Sequence, residues 1–295
     1  MKIKVSTRIS KFLLALSFFT LCANSYSEEP QHWYTTARLT YLSAAYNNAQ
    51  YIARQDSGRL MLATEYLEKN QIQFAANFST FSFKDKSPNY TQNTFALFAQ
   101  HYFYTDLISG RTGVQIGYLK VTGKNLTANN IYNAAFNYLN YSGKFYFHTS
   151  YTNSRYGNSQ SGFSISQIKP GLGFQLYFPQ LWANVSNVYT AHSGDGHYDA
   201  MDYSLTFNLI NRPRLFPSNL TIGATTGKRQ YYVDEQNALV YNTEDLLKEE
   251  FYLSAAWNIK DSTYFYLSAG QQNYLDTSNQ NYSLNYFAIT FTRTW

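Results

Sequence analysis

The chain has 295 residues and a formal charge of +5, with charged residues at only 14% and aromatic ones at 19%. A mean hydropathy of −0.40, without any run of 18 apolar residues, excludes helical membrane spans. One cysteine, Cys22, excludes a disulfide framework within the chain.

The N-terminus carries most of the apparent basicity. Lys2, Lys4, Arg8 and Lys11 precede an apolar run at 12–23, and small residues at 23–27 follow it, Ala23-Asn24-Ser25 or Ser25-Tyr26-Ser27. This pattern predicts an export signal over 1–27, too short to anchor in a bilayer, and a mature domain over 28–295. Removing 1–27 leaves 19 basic against 18 acidic residues and no cysteine. Net charge then gives no reason to expect nucleic acid as a partner.

From residue 32 onward apolar residues recur with a period of two, broken by turn residues. The first expected strand, 32–42, sets Trp33, Ala37, Leu39 and Tyr41 against Thr36, Arg38 and Thr40. A polar loop at 47–59 leads to 60–67, where Glu65 opposes Leu60 and Leu62. Strands follow at 72–83, 94–103 and 111–121, the last with Arg111 and Gln115 opposite Val114, Ile116 and Tyr118. Next come 131–138 and 144–151, where Lys144 and His148 oppose Phe145 and Phe147. Strand 167–177 sets Lys169 and Gln175 against Ile168 and Leu172, and its Pro170 predicts a bulge or local break, having no N–H to donate. Strands 181–189 and 201–210 follow, the second with Asp202 and Asn208 opposite Tyr203 and Leu205. Segments 220–226, 250–259, 263–272 and 281–295 complete fourteen, with twelve or sixteen as alternatives. Connections tend to alternate between short and long, with long loops at 47–59, 84–90, 122–130, 153–162, 192–199 and 227–249. Alternating strands joined this way predict an all-β, antiparallel up-and-down transmembrane barrel with one apolar outer face. A soluble sandwich or small barrel would bury its apolar face inside and would leave fourteen such strands unexplained.

The last stretch, NYSLNYFAITFTRTW at 281–295, places Phe287, Ile289, Phe291 and Trp295 on one face and Tyr286, Ala288, Thr290, Thr292 and Thr294 on the other. It resembles the C-terminal signal of Gram-negative outer-membrane β-barrels, in which a terminal aromatic and alternating apolar residues are read by the assembly machinery. The departures are Trp295 where Phe is commonest and Arg293 where an aromatic or apolar residue is usual. The resemblance implies an outer-membrane location, contact with outer-membrane lipid and lipopolysaccharide, and a porin-like role.

If the apolar set faces lipid, the opposite set lines a lumen. Its expected members are Arg38, Glu65, Arg111, Gln115, Lys144, His148, Lys169, Gln175, Asp202 and Asn208. Arg38, Arg111, Lys144 and Lys169 would form a basic stripe unless the inward acids pair with them. Fourteen strands enclose a lumen too wide for wall side chains to fill, so an aqueous pore or an infolded loop is required. Residues 227–249 are the candidate for that loop; the competing readings are a partner-binding loop and a strand extension above the membrane. The stretch 191–199, with His192, Asp195, His197 and Asp199, is the one local concentration of His and Asp, a candidate metal or acid–base site or else a solvated loop. No phosphate-binding Gly loop, Cys-based metal site or nucleophile elbow is present. The expectation is therefore a monomeric passive channel for small hydrophilic solutes, with no cofactor. The alternatives are a surface protein binding a partner through its loops, and an outer-membrane hydrolase.

Overall fold

A backbone that crosses hydrocarbon must satisfy its own N–H and C=O groups, and a sheet does so only by closing on itself. The computed structural model describes residues 33–295 except 86–87, 106, 108, 124–125, 158–161, 177–179, 194–195, 211, 214, 242–244 and 261; the expected signal segment lies outside the described residues. Its strands are β1 (Trp33–Asn47), β2 (Ile52–Tyr66), β3 (Asn70–Phe83), β4 (Tyr90–Thr105), β5 (Gly110–Gly123), β6 (Leu126–Asn140), β7 (Phe145–Tyr156) and β8 (Phe163–Gln175). They continue as β9 (Leu181–His192), β10 (His197–Asn208), β11 (Asn219–Arg229), β12 (Val233–Asp234), β13 (Leu239–Val240), β14 (Leu246–Lys260), β15 (Thr263–Leu275) and β16 (Asn281–Thr294). All but β12 and β13 form one closed antiparallel barrel of fourteen strands in chain order.

The seam joins β1 to β16 in register from Thr36↔Thr294 to Asn47↔Ser283. Trp295 extends it, exchanging 2.9 and 3.0 Å backbone hydrogen bonds with Thr35. On the lumen side the Thr36–Thr294 and Thr40–Thr290 hydroxyls lie 2.9 and 3.0 Å apart. Outside, Ile72, Leu97 and Ile116 are 61, 55 and 64% exposed. So much bare apolar surface fits a wall bathed in lipid rather than water.

One expectation about the wall needs correction. The polar segments expected as long loops are partly strand: β2 begins at Ile52, β6 at Leu126 and β10 at His197, and β7 runs on to Tyr156. Cross-strand hydrogen bonding does not require apolar alternation, so the ladder continues where the hydrophobic signal has faded. At Pro170 the ladder shows the local break and no bulge: the pairs at 169–170 toward β9 are missing, while β8 keeps one register on either side. Toward β7 the Thr149↔Pro170 pair is intact.

β12 and β13 are the exception to the barrel. They pair through Val233↔Val240 and Asp234↔Leu239 as a small hairpin. The chain leaves the wall through a register shift between Thr226 and Arg229. Gly227 sits there at φ +101, and a Cβ on it would come 2.4 Å from the Asp199 carbonyl oxygen, so the bend requires glycine. The chain rejoins the wall at a second shift, between Leu247 and Glu249.

Candidate functional site

The hairpin folds into the lumen and lies against an apolar pad on the inner wall. Val233, Ala238 and Val240 pack with Met61, Ala75, Ala96, Phe98, Leu119, Val121 and Ile131, all nearly water-free. The pad spans β2 to β6 and depends on Gly117, across which the Phe98 ring lies; a Cβ there would come 2.3 Å from Phe98 Cδ1. Polar side chains hold the hairpin edges. The Gln167 amide both donates to the Val233 carbonyl (2.8 Å) and accepts from its N–H (3.0 Å). Gln92 donates to the Val240 carbonyl at 2.9 Å, and Ser150 to the Glu235 carboxylate at 2.9 Å. Lys169 Nζ donates to the Tyr232 hydroxyl at 2.7 Å. Burial pushes the Glu235 carboxyl above the ordinary carboxylate range, with the Lys169 charge opposing that shift.

At the root of the hairpin Arg229 forms a clasp. Its guanidinium contacts Asp202 at 3.2 Å and Glu250 at 3.0 Å, and lies 4.2 Å from the centre of the Tyr232 ring. β10, β11, β14 and the hairpin are thereby tied at one point.

The rest of the lumen is open. A cavity of about 850 Å³ runs beside the hairpin, bordered by β14, β15, β16 and β1 and also by residues of β2 to β4 and β7 to β11. A second, of about 420 Å³, lies nearer the rim where β1 begins and shares Tyr252, Ser254, Tyr266 and Ser268 with the first. Two tyrosines pave this side. Tyr286 crosses Gly270, where a Cβ would come 2.6 Å from its ring, and its hydroxyl donates to Glu250 at 2.9 Å. Tyr252 lies across Gly223 in the same way.

Alternation turns nine of the ten expected lumen residues inward, and four of them, Arg38, His148, Lys169 and Asp202, border the larger cavity. His148 Nε2 stands 3.6 Å from the Glu235 carboxylate under the hairpin tip. Asp202 also accepts from the Thr225 hydroxyl at 2.6 Å. Glu65 and Arg111 attract one another below the hairpin, and the Arg111 guanidinium lies 4.3 Å from the Tyr102 ring centre. Gln115 faces inward between Gly113 and Gly117. Gln175 and Asn208 end their strands at the rim, where Asn208 accepts from the Asn219 amide.

Lys144 stands at the rim, exposed in the turn ahead of β7, its backbone N–H held by the Asn140 side chain at 2.8 Å and its carbonyl accepting from the Gln175 N–H at 2.8 Å. The four cations do not form one free basic stripe: Lys144 is at the rim, Lys169 binds the hairpin and Arg111 faces Glu65. Arg59 and Arg229 were missed as lumen cations because both fell in segments read as loops.

The His and Asp residues of 191–199 do not converge. His192 ends β9 facing the lumen and stacks near Tyr231 and Phe163. His197, one residue position into β10, faces outward and stacks on Tyr189. Asp199 shares that outward face and accepts from Asn187. Asp195 lies outside the described residues. Among the described residues no group of three His, Cys, Asp or Glu could hold a metal ion. Phe287, Ile289, Phe291 and Trp295 keep the shared face expected of them, while Tyr286, Ala288 and Thr290 line the cavity.

A closed, up-and-down, fourteen-stranded barrel with an apolar exterior has the fold of the Gram-negative outer-membrane β-barrels. Among solved structures, the chain is similar to the Pseudomonas putida toluene transporter TodX, at a TM-score of 0.52 and 6% identity over 90% of each chain. It is also similar to a TodX deltaS2 mutant, described as a monoaromatic hydrocarbon channel (0.53, 8%, 90% of each chain). A third is a bacterial polysaccharide outer membrane secretin (0.50, 10%, 88% of this chain and 98% of that one). Identities this low carry the fold alone. No family model and no curated protein matches the sequence.

Proposed function

We propose that this protein is an outer-membrane channel through which small hydrophilic solutes diffuse passively, its lumen narrowed by the hairpin of β12 and β13. The observation that carries this reading is the pair of adjoining cavities beside the hairpin, whose mixed lining carries many Thr, Ser, Asn, Gln and Tyr hydroxyls and amides. Polar groups spaced along such a wall let a solute exchange its water for wall contacts without a large barrier. Selection follows from the width left by the hairpin and from the charges along the open side.

The partners follow from the surfaces. The apolar outer band meets membrane lipid, with lipopolysaccharide above it, and the face bearing Phe287, Ile289, Phe291 and Trp295 is the segment offered to the assembly machinery. One chain supplies wall, hairpin and path, so a monomer suffices. Purified protein in planar bilayers tests the reading: stepwise conductance is expected, and its absence from a correctly folded barrel would overturn it.

A further inference from the structure

We infer that Arg38 and Arg59 together form an oxyanion-binding site on the open side of the lumen, taking the carboxylate or phosphate group of a small solute. The inference rests on the channel reading for its physiological meaning, but the site itself is argued from geometry. Both side chains face inward from neighbouring strands. Arg59 pairs with Thr40 and Arg38 with Met61, so the two are diagonal neighbours, roughly 7–8 Å apart at the backbone. Both border the larger cavity.

Neither guanidinium makes an ion pair. The ion pairs among the described residues are Arg54–Asp56, Arg229 with Asp202 and Glu250, and the His148–Glu235 contact; none includes Arg38 or Arg59. Arg59 donates to the Asn237 carbonyl at 2.7 Å and to the Thr40 hydroxyl at 3.4 Å, while its buried Nε has no acceptor. Asp234 of the hairpin attracts Arg59 but forms no ion pair with it, accepting instead from the Asn237 N–H (3.1 Å) and side-chain amide (2.9 Å). Two like charges with no carboxylate seated between them repel, and an unpartnered buried donor is costly. One oxyanion between them relieves both, because a guanidinium fork matches carboxylate and phosphate oxygens. The Thr40 and Thr290 hydroxyls lie 3.0 Å apart beside the pair; one donates to the other, which leaves one O–H as a further donor. Arg229 has similar chemistry, but its guanidinium is already paired with Asp202 and Glu250.

The test is equilibrium binding to the purified full-length barrel in detergent, with acetate and inorganic phosphate titrated separately by calorimetry. The wild type is expected to bind at least one of them, and the arm that responds identifies the oxyanion. R38Q/R59Q is expected to weaken that binding at least about tenfold, as loss of charged hydrogen bonds implies. Lys144→Gln makes the same kind of charge change in the exposed turn and is expected to leave binding unchanged. Heat-modifiable gel migration checks the fold; if the double variant misfolds, Arg38→Gln alone serves, since Arg38 holds no other group in place. Undetectable binding of both ions by the wild type, or equal binding by folded R38Q/R59Q, would overturn the site. Binding without conductance in bilayers would sink the channel reading and leave the site standing.

Discussion

The two sides of the lumen wall differ in chemistry and in what they face. From β2 to β6 the inner face carries Phe98, Leu119, Val121 and Ile131, and the hairpin covers it. From β14 through β16 to β1 it carries hydroxyls, amides, Arg38 and two flattened tyrosines, and faces an open cavity. One side is a protein core that happens to lie within a barrel; the other is a channel surface. The contrast explains how a lumen too wide for its own side chains is filled on one side and stays hydrated on the other.

Removing the hairpin tests the contrast most severely. Replacing residues 232–241 with a short Gly-Ser link is expected to raise single-channel conductance several-fold and to expose the pad, giving new binding of a hydrophobic dye; unchanged conductance would mean the hairpin does not narrow the path. Val233→Asp or Val240→Asp inserts a charge against the pad at a cost of several kcal/mol. The barrel is expected to stay closed while the hairpin becomes cleavable by protease, and a protected hairpin would contradict the packing described. Gln167→Leu should act in the same direction more weakly, since it strands the Val233 N–H and carbonyl at about 1–3 kcal/mol each. Conductance bursts of longer open time are the readout. Gly117→Val pushes Phe98 off its seat, an overpacking cost of about 1–3 kcal/mol. A lower temperature of heat-modified migration, with little change in conductance, is expected. A larger change in conductance than from Gln167→Leu would mean the pad, and not the edge hydrogen bonds, sets the hairpin position.

Alternation revealed the barrel because a lipid-facing strand must repeat every two residues; Phe287, Ile289 and Phe291 are plain examples, and the strand count follows from the same signal. The pad escaped notice for the same reason. On β5 both Tyr118 and Leu119 are apolar, one facing lipid and one facing the hairpin, and a period-two reading assigns only the first. Arg59 shares the inward parity of Glu65 and could have been placed by extending the expected strand 60–67 by one residue. The separation of His192 from His197 was hidden in the same way, since a segment taken as loop has no faces. The length of 227–249 marked it as the candidate infolded loop, but the sequence does not show which wall 233–240 docks on, because what holds them is distant in the chain: Arg59 meets Asn237 across 178 positions.

The hairpin and its pad also constrain how such a chain can change over generations. A lineage that lost the hairpin would leave Leu119, Val121 and Ile131 facing water, so those wall positions would have to turn polar with it. A lineage that turned them polar first would set the hairpin adrift. Loop and wall are thus inherited as a pair, though more than a hundred residues separate them in the sequence.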